Sequence, residues 1–176
     1  MDYIELFRSI CPGFFDRPGI KNLPAEHVFA EMEMPLQNGM PAMPPVPCPE
    51  EITFGEYGGD VQPLKEAVSL VDGGWVQYFG EGGRYFCAFE GKRIVAFCAL
   101  TDFGCYQNLR IGGPGCVGTV PEYRKRGIGL EMVRRATLIL KQDGYDLSWI
   151  HYTHIADWYA KLGYRTVVRW NCGGVL

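Results

Sequence analysis

The sequence has no excess of positive charge and no long hydrophobic run. Its 17 lysine and arginine residues are fewer than its 20 acidic residues, which gives a formal net charge of −3. This balance indicates no general affinity for nucleic acid or for membrane surfaces. No apolar stretch reaches the length that crosses a bilayer, and the beginning, Met1-Asp2-Tyr3, lacks a basic region followed by an apolar one. We therefore expect a cytoplasmic protein.

Paired cysteines are also missing. The seven cysteines are odd in number and scattered, and no two of them form a Cys-x-x-Cys motif. This spacing predicts neither a disulfide framework nor a zinc site, so we expect no metal. Hydrophobic residues make up 47% of the 176 residues and charged residues 21%, which is typical of one soluble globular domain with a buried core.

The first 49 residues are predicted to form an N-terminal arm that ends in a proline-rich connector. Residues 2–10 favour a short helix, because Asp2 can cap it. Residues 27–36 fit either a strand, since apolar residues alternate there, or a helix. Five prolines between residues 41 and 49 predict an extended connector. The arm is too short to be stable alone, so we expect it to pack on the main domain or on a second subunit, which leaves a homodimer open.

Residues 50–176 carry the pattern of a mixed α/β (α+β) domain. Apolar alternation, helical spacing and turn residues predict the element order β-α-β-β-β-α-β-α-β. The predicted ranges are 51–57, 60–71, 84–90, 93–100, 111–120, 127–143, 147–153, 155–162 and 164–170. Because hairpins alternate with crossovers, the sheet should be mixed rather than all parallel.

One glycine motif matches the dinucleotide-binding fingerprint letter for letter. It reads Gly113-Pro114-Gly115-Cys116-Val117-Gly118. A fingerprint ends a strand and opens a helix, whereas this motif is followed by more strand and then Pro121. We therefore interpret these glycines as a β-bulge or as a place where another backbone approaches closely.

A second glycine motif lies where a strand gives way to a helix. After Pro121, a basic turn reads Arg124-Lys125-Arg126-Gly127-Ile128-Gly129 and opens a helical pattern. The free N–H groups and the dipole of a helix N-terminus favour an anion, and glycines let a ligand approach the backbone. The motif therefore fits a binding site for a pyrophosphate-bearing ligand. A plain strand-to-helix turn with a solvated basic run fits the same residues.

Two motifs together resemble the GNAT superfamily of N-acetyltransferases. The basic turn is similar to that family's acyl-CoA-binding motif, Arg/Gln-x-x-Gly-x-Gly/Ala. About thirty residues later, Trp158-Tyr159-Ala160-Lys161-Leu162-Gly163-Tyr164 is similar to its aromatic-Tyr-x-x-x-Gly-aromatic segment. The resemblance covers roughly residues 50–170 and leaves the arm unexplained.

The resemblance implies a twisted sheet of about six to seven strands, flanked by helices, that splays open after the strand ending near Val120. Acetyl-CoA would be the co-substrate. Its pantetheine arm would lie in the split, and its pyrophosphate would bind the amides of residues 125–130. The implied CoA-binding residues are Val117, Gly118, Thr119, Arg124, Lys125, Arg126, Gly127, Ile128, Gly129 and Leu130.

The resemblance also suggests catalytic residues. Tyr159 matches the tyrosine that in several members protonates the departing CoA thiolate, although a core aromatic on an amphipathic helix explains it equally simply. A base must also accept a proton from the amine, and Glu122 and His154 are our candidates, with His151 and Asp102 as further options. The asparagine that many members carry before the tyrosine is absent here.

The predicted function is therefore acetyl transfer from acetyl-CoA to an amine by direct attack in a ternary complex. The expected acceptor is a small molecule or a peptide that carries the amine. The alternative is a GNAT fold that binds an acyl-CoA without catalysis, as a sensor or partner subunit. A site for ATP is a weaker alternative, because no Gly-x-x-x-x-Gly-Lys-Ser/Thr motif occurs.

Overall fold

The computed structural model describes residues 1–176 as one eight-stranded sheet with five α-helices. The strands are β1 (Phe29–Pro35), β2 (Ile52–Tyr57), β3 (Tyr85–Glu90), β4 (Arg93–Tyr106), β5 (Leu109–Thr119), β6 (Leu147–Thr153), β7 (Arg165–Asn171) and β8 (Gly174–Val175). The helices are α1 (Tyr3–Ile10), α2 (Pro18–Lys21), α3 (Val61–Ser69), α4 (Ile128–Gln142) and α5 (Ala156–Ala160). Short 3₁₀ turns cover Phe14–Asp16, Gly73–Tyr78 and Pro121–Tyr123. None of the helices combines the length and the apolar character that crossing a membrane requires.

The strand order in the sheet is β2-β3-β4-β5-β6-β1-β7-β8. Every neighbouring pair is antiparallel except β5 and β6, which are parallel. The predicted mixed sheet is confirmed. It has eight strands rather than six or seven, because β1 and β8 were not counted from the sequence. Strand β4 is also longer than predicted, since it continues past residue 100 to Tyr106.

The predicted helices of the main domain form where the local signals indicate. The Asp60 carboxylate accepts a hydrogen bond from the Gln62 N–H and caps α3. One face of α4, including Met132, Val133 and Ala136, is fully buried against the sheet. Together these helices and the strands beneath them form the larger hydrophobic core.

The N-terminal segment packs on the main domain, which is one of the two positions expected from the sequence, and it does so as part of the sheet. Strand β1 lies between β6 and β7 and is antiparallel to both. Met32 and Met34 enter the larger core, while α1 covers the opposite face of the sheet with Leu6 and Phe7 and builds a second core around Trp149. The division after residue 49 therefore does not separate two packing units.

The proline-rich connector crosses the N-terminal half of α4 as a strap, which we define as residues 41–49. The carboxylate of Glu131, 1% exposed, accepts a hydrogen bond from the Val46 N–H at 2.9 Å. The Arg134 side chain donates to the same carboxylate and to the Met43 carbonyl oxygen at 3.2 Å. The strap is thus fixed to the helix by one buried charge cluster.

Strands β5 and β6 diverge soon after they meet. Only two residue pairs, Ile111 with Leu147 and Gly112 with Ser148, join them. Farther along β5, Cys116 adopts a φ of +46° at a shift in the register with β4. A Cβ atom on Gly113 would lie only 1.9 Å from the Trp149 carbonyl oxygen. The interpretation of these glycines as a bulge and a close backbone approach is confirmed.

Candidate functional site

A cleft of about 440 Å³ opens where β5 and β6 separate and α4 begins. With the exception of Arg126, every predicted CoA-binding residue lines it. The guanidinium of Arg126 lies instead 5.4 Å from the centre of the Tyr123 ring. The lining residues are Val71, Val117, Gly118, Thr119, Tyr123, Arg124, Lys125, Gly127, Ile128, Gly129, Leu130, Ile155, Trp158 and Lys161.

The backbone at the start of α4 has unpaired donors. None of the N–H groups of residues 125–130 donates a hydrogen bond within the chain, and the first that does is the Glu131 N–H, to the Gly127 carbonyl at 3.0 Å. Pro121–Tyr123 and the left-handed residues Lys125 and Gly127 turn the chain sharply before the helix. Six consecutive unpaired amides at a helix N-terminus form an anion-binding site.

Two glycines keep this turn close to its neighbours. Gly127 has a φ of +80°, and a Cβ atom there would lie 2.1 Å from the Pro47 carbonyl oxygen of the strap. A Cβ atom on Gly129 would lie 2.5 Å from Thr119 Oγ1 and 3.6 Å from the Trp158 ring. Both positions therefore need glycine for the helix to pack against β5 and the strap.

Positive side chains surround the unpaired amides. Arg124, Lys125 and Lys161 line the cleft, and none of them forms a salt bridge within the chain. The Nε of Arg124 donates to the Thr119 carbonyl oxygen at 3.0 Å, which holds the guanidinium beside the end of β5. The local charge is therefore positive although the whole chain is acidic.

The edge of β5 that faces the split has no strand partner after Gly112. Gly118 and Thr119 pair with β4 on their other side, and together with Val117 they line the cleft. An extended ligand could therefore lie along this edge as an additional strand would.

Tyr159 is largely buried behind the cleft wall. It is 6% exposed, and its ring meets the Trp158 ring edge to face at 4.8 Å between centroids. Its hydroxyl forms no hydrogen bond within the chain, and since no enclosed polar side-chain atom lacks a partner, solvent reaches that hydroxyl. Burial, and then the neighbouring Tyr164, Cys98 and Cys116, raise the pKa of Tyr159. The phenol thus keeps its proton at neutral pH and lies near Cys116 of the β5 bulge, although Tyr159 itself does not line the cleft.

The structure does not bring the candidate bases into the cleft. Glu122 is adjacent to the basic turn in sequence, but its carboxylate accepts a hydrogen bond from Arg93 at 2.9 Å and its side chain is 69% exposed. His154 is exposed and lines a neighbouring cavity of about 530 Å³. Ile155 and Trp158 line both cavities, whereas His154 lines only the second.

The other two options are engaged elsewhere. Asp102 accepts hydrogen bonds from Arg110 at 3.1 Å and from the Tyr145 hydroxyl at 2.9 Å. His151 lies on the face of the sheet that α1 covers, where its Nδ1 is 2.9 Å from Glu31 Oε2. Neither residue lines the cleft.

Sequence analysis did not assign five of the lining residues to the site: Val71, Tyr123, Ile155, Trp158 and Lys161. Tyr123 directly precedes the basic turn, and Ile155 begins the predicted helix at residues 155–162. Trp158 and Lys161 belong to the quoted aromatic motif, so their place in that motif was the available signal. Val71 reaches the cleft from the end of α3, and nothing in its local sequence marks it.

A comparison with known protein families matches the region of the chain that forms the cleft. Residues 81–166, just under half of the chain, match the model of the acetyltransferase (GNAT) domain. They include β3 to β6, α4 and α5, and therefore both the basic turn and the split. The resemblance to GNAT acetyltransferases that the two motifs indicate is therefore confirmed over this part of the chain. Among curated proteins, none matches the sequence.

Solved structures share the fold at low sequence identity. The glucosamine N-acetyltransferase region of a fungal multi-domain GH3 β-N-acetylglucosaminidase is 20% identical with a TM-score of 0.64, over 82% of this chain and 20% of that chain. A GCN5-related N-acetyltransferase from Sphaerobacter thermophilus is 18% identical with a TM-score of 0.61, over 82% of this chain and 50% of that chain. One from Kribbella flavida is 16% identical with a TM-score of 0.57, over 80% and 55%. This chain thus spans between a fifth and about half of the length of these relatives.

Proposed function

We propose that the chain is an N-acetyltransferase that moves an acetyl group from acetyl-CoA to an amine by direct attack in a ternary complex. The observation that carries the proposal is the run of six unpaired N–H groups at residues 125–130, which opens into the split between β5 and β6. A diphosphate fits such a run, because each amide donates to an anionic oxygen without first losing another partner.

In this proposal the rest of the cleft orients the remainder of the co-substrate. The free edge of β5 at residues 117–119 pairs with the amide groups of the pantetheine arm. Arg124, Lys125 and Lys161 balance the charge of the phosphates. Arg126, which stacks on Tyr123, adds long-range positive charge rather than a direct contact.

Tyr159 acts as the general acid in this proposal. Attack of an amine on the thioester expels a thiolate, and a phenol that is protonated and free of other hydrogen bonds can donate to it. The raised pKa supports the role, because the proton is then present at neutral pH. The proton that the amine loses passes to water in the open cleft, since Glu122 and His154 lie outside it.

The first test is the Gly129→Trp variant. An indole at this position has to occupy the space of Thr119 Oγ1 and the cleft beside the unpaired amides. We expect it to abolish acetyl-CoA binding, measured by isothermal titration calorimetry.

Gly58→Trp is the matched control. Gly58 has no positive φ, and a Cβ atom there meets nothing within 4 Å, so acetyl-CoA binding should be unchanged. Circular dichroism confirms that both variants are folded. Retained affinity in folded Gly129→Trp would refute this location of the binding site.

The alternative, an acyl-CoA-binding or sensor module without catalysis, is favoured by one observation: no Asp, Glu or His side chain lines the cleft. Release of free CoA thiol from acetyl-CoA, assayed with a panel of amines, distinguishes the two functions. The panel contains polyamines, amino acids, aminosugars and peptides with free N-termini. Release that depends on one class of amine supports the transferase, whereas binding without release supports the module.

A further inference from the structure

A second cluster of reactive groups lies on the face of the sheet that α1 covers, away from the cleft lining. It consists of Cys11 at the end of α1, His151 on β6 and Glu31 on β1. The Cys11 sulfur is 4.0 Å from His151 Nε2, and His151 Nδ1 is 2.9 Å from Glu31 Oε2. A thiol, an imidazole and a carboxylate thus form a chain in the order that activates a nucleophile.

The carboxylate is fixed by more than the histidine. Glu31 is fully buried, and its oxygens also accept hydrogen bonds from the indole N–H groups of Trp149 at 2.7 Å and Trp170 at 2.9 Å. The Tyr152 backbone N–H donates to it at 3.0 Å. Four donors hold this carboxylate in one position, so the imidazole is held with Nδ1 on Glu31 and Nε2 toward the sulfur.

This arrangement favours a positive charge on the imidazole. Burial opposes that charge, but the hydrogen bonds with Cys11 and Glu31 outweigh it and raise the pKa of His151 to about 9. An imidazolium beside a sulfur stabilises the thiolate, which is the reactive form of cysteine.

We propose that Cys11 is a modification site that reacts with small hydroperoxides. The Cys11 thiolate attacks one oxygen of hydrogen peroxide, the O–O bond breaks, and the imidazolium of His151 gives its proton to the departing hydroxide. The products are Cys11 sulfenic acid, water and neutral His151. Sulfur loses two electrons and the peroxide gains them.

The surroundings select the oxidant by size. Cys11 is 7% exposed and the His151 side chain 23% exposed, so only narrow access remains. The Phe14 ring lies 5.0 Å from the His151 ring, centroid to centroid, and the Phe7 ring 6.0 Å from it. A molecule little larger than water can enter such a space, whereas a bulky thiol or disulfide cannot.

The other cysteines supply internal comparisons. All seven are free. Burial raises the pKa of Cys87 to about 12 and that of Cys116 to about 11, so both remain thiols at neutral pH. Cys105 is exposed and forms no hydrogen bond with a histidine. The labelling rate of Cys105 therefore shows how fast a cysteine reacts when it is exposed but has no histidine beside it.

The test exposes the reduced protein to hydrogen peroxide for timed intervals, stops the reaction with catalase and unfolds the protein in denaturant that contains dimedone, so that access no longer limits trapping of sulfenic acid. Peptide mass spectrometry then quantifies the label on each cysteine. In the unmodified protein, Cys11 should be labelled at least about tenfold faster than Cys105, despite its burial. In His151→Gln the rate at Cys11 should fall by at least about tenfold, with Cys105 unchanged. His27→Gln, which alters an exposed histidine that forms no hydrogen bond with a cysteine, should leave both rates unchanged.

Equal or faster labelling of Cys105 in the unmodified protein overturns the proposal, and this comparison needs no variant. Unchanged labelling of Cys11 in folded His151→Gln overturns it as well. Neither result depends on acetyl-CoA, so the outcome is independent of the transferase assignment.

Discussion

Tyr159 and Tyr164 are five residues apart but occupy different environments, and this difference separates a chemical role from a structural one. The Tyr159 hydroxyl has no partner in the chain, whereas the Tyr164 hydroxyl lies 2.7 Å from both Ser148 Oγ and Thr137 Oγ1. Only the first hydroxyl is free to donate to a ligand. The two residues therefore form a matched pair for mutation.

We predict that Tyr159→Phe lowers kcat by about 10²- to 10⁴-fold, the range expected for loss of a general acid. Affinity for acetyl-CoA should change little, because the unpaired amides and the β5 edge remain. Once the amine screen has identified an acceptor, steady-state kinetics and calorimetry measure the two quantities separately. Unchanged kcat would remove Tyr159 from the chemistry.

The control, Tyr164→Phe, should have the opposite profile. This variant removes the hydrogen-bond partner of the buried Ser148 and Thr137 hydroxyls, which should lower the free energy of unfolding by about 1–3 kcal/mol. Turnover at a temperature where the variant is folded should stay close to that of the unchanged protein.

At the scale of elements, the strap packs against the start of α4 and so stabilises the turn that carries the unpaired amides. The strap carbonyl at Pro47 lies against Gly127, and Glu131 anchors the strap one turn into the helix. Burial works against the charge of Glu131, but hydrogen bonds from Arg134, the Val46 N–H and Arg135 lower its pKa to about 2. The folded state therefore favours the ionised carboxylate.

This contact gives a pH-dependent prediction. Because the pKa of Glu131 is lower when folded, its stabilisation is complete above its ordinary pKa of 4.5 and is lost as the pH falls toward 2. Glu131→Gln should lower the free energy of unfolding by about 2–3 kcal/mol at pH 7 and by progressively less between pH 4.5 and 2. Urea denaturation at several pH values measures both effects.

Glu122→Gln serves as the comparison for this variant, because its exposed ion pair with Arg93 is screened by solvent. Its unfolding curve should coincide with that of the unchanged protein at every pH. A Glu131 variant that loses the same stability at pH 2 as at pH 7 would contradict the proposed linkage.

The sequence predicted the elements that local signals define. The basic turn and the glycines after Pro121 lie in one contiguous stretch, and the cleft there is built mainly from backbone, so most of its lining could be named in advance. Whether a residue can serve as the general base depends instead on where its side chain points in the folded protein. Glu122 turns to Arg93 on another strand, and no pattern within its own segment could indicate that.

At the scale of the whole molecule, the least predictable feature is the position of β1. Apolar alternation over residues 27–36 was compatible with a strand, but a strand's partners are chosen by long-range pairing that a local pattern does not encode. The charged residues of this stretch, Glu31 and Glu33, are buried although they alternate with the apolar ones. Their partners, among them Trp149, Trp170 and Arg165, come from strands more than a hundred residues later.

The central position of β1 predicts that residues 50–176 do not fold alone. Removing residues 1–49 deletes every pair that β1 makes with β6 and β7 and uncovers the second core around Trp149. We expect this fragment to lack a cooperative thermal transition in circular dichroism and to expose apolar surface to a fluorescent dye.

Deleting residues 174–176 is the matched control, because β8 is a two-residue edge strand that pairs only with β7. That deletion should keep a cooperative transition and lower Tm by only a few degrees. A 50–176 fragment that melts cooperatively and binds acetyl-CoA would show instead that β1 is dispensable, since the site would then form without the strand that joins β7 and β8 to the rest of the sheet.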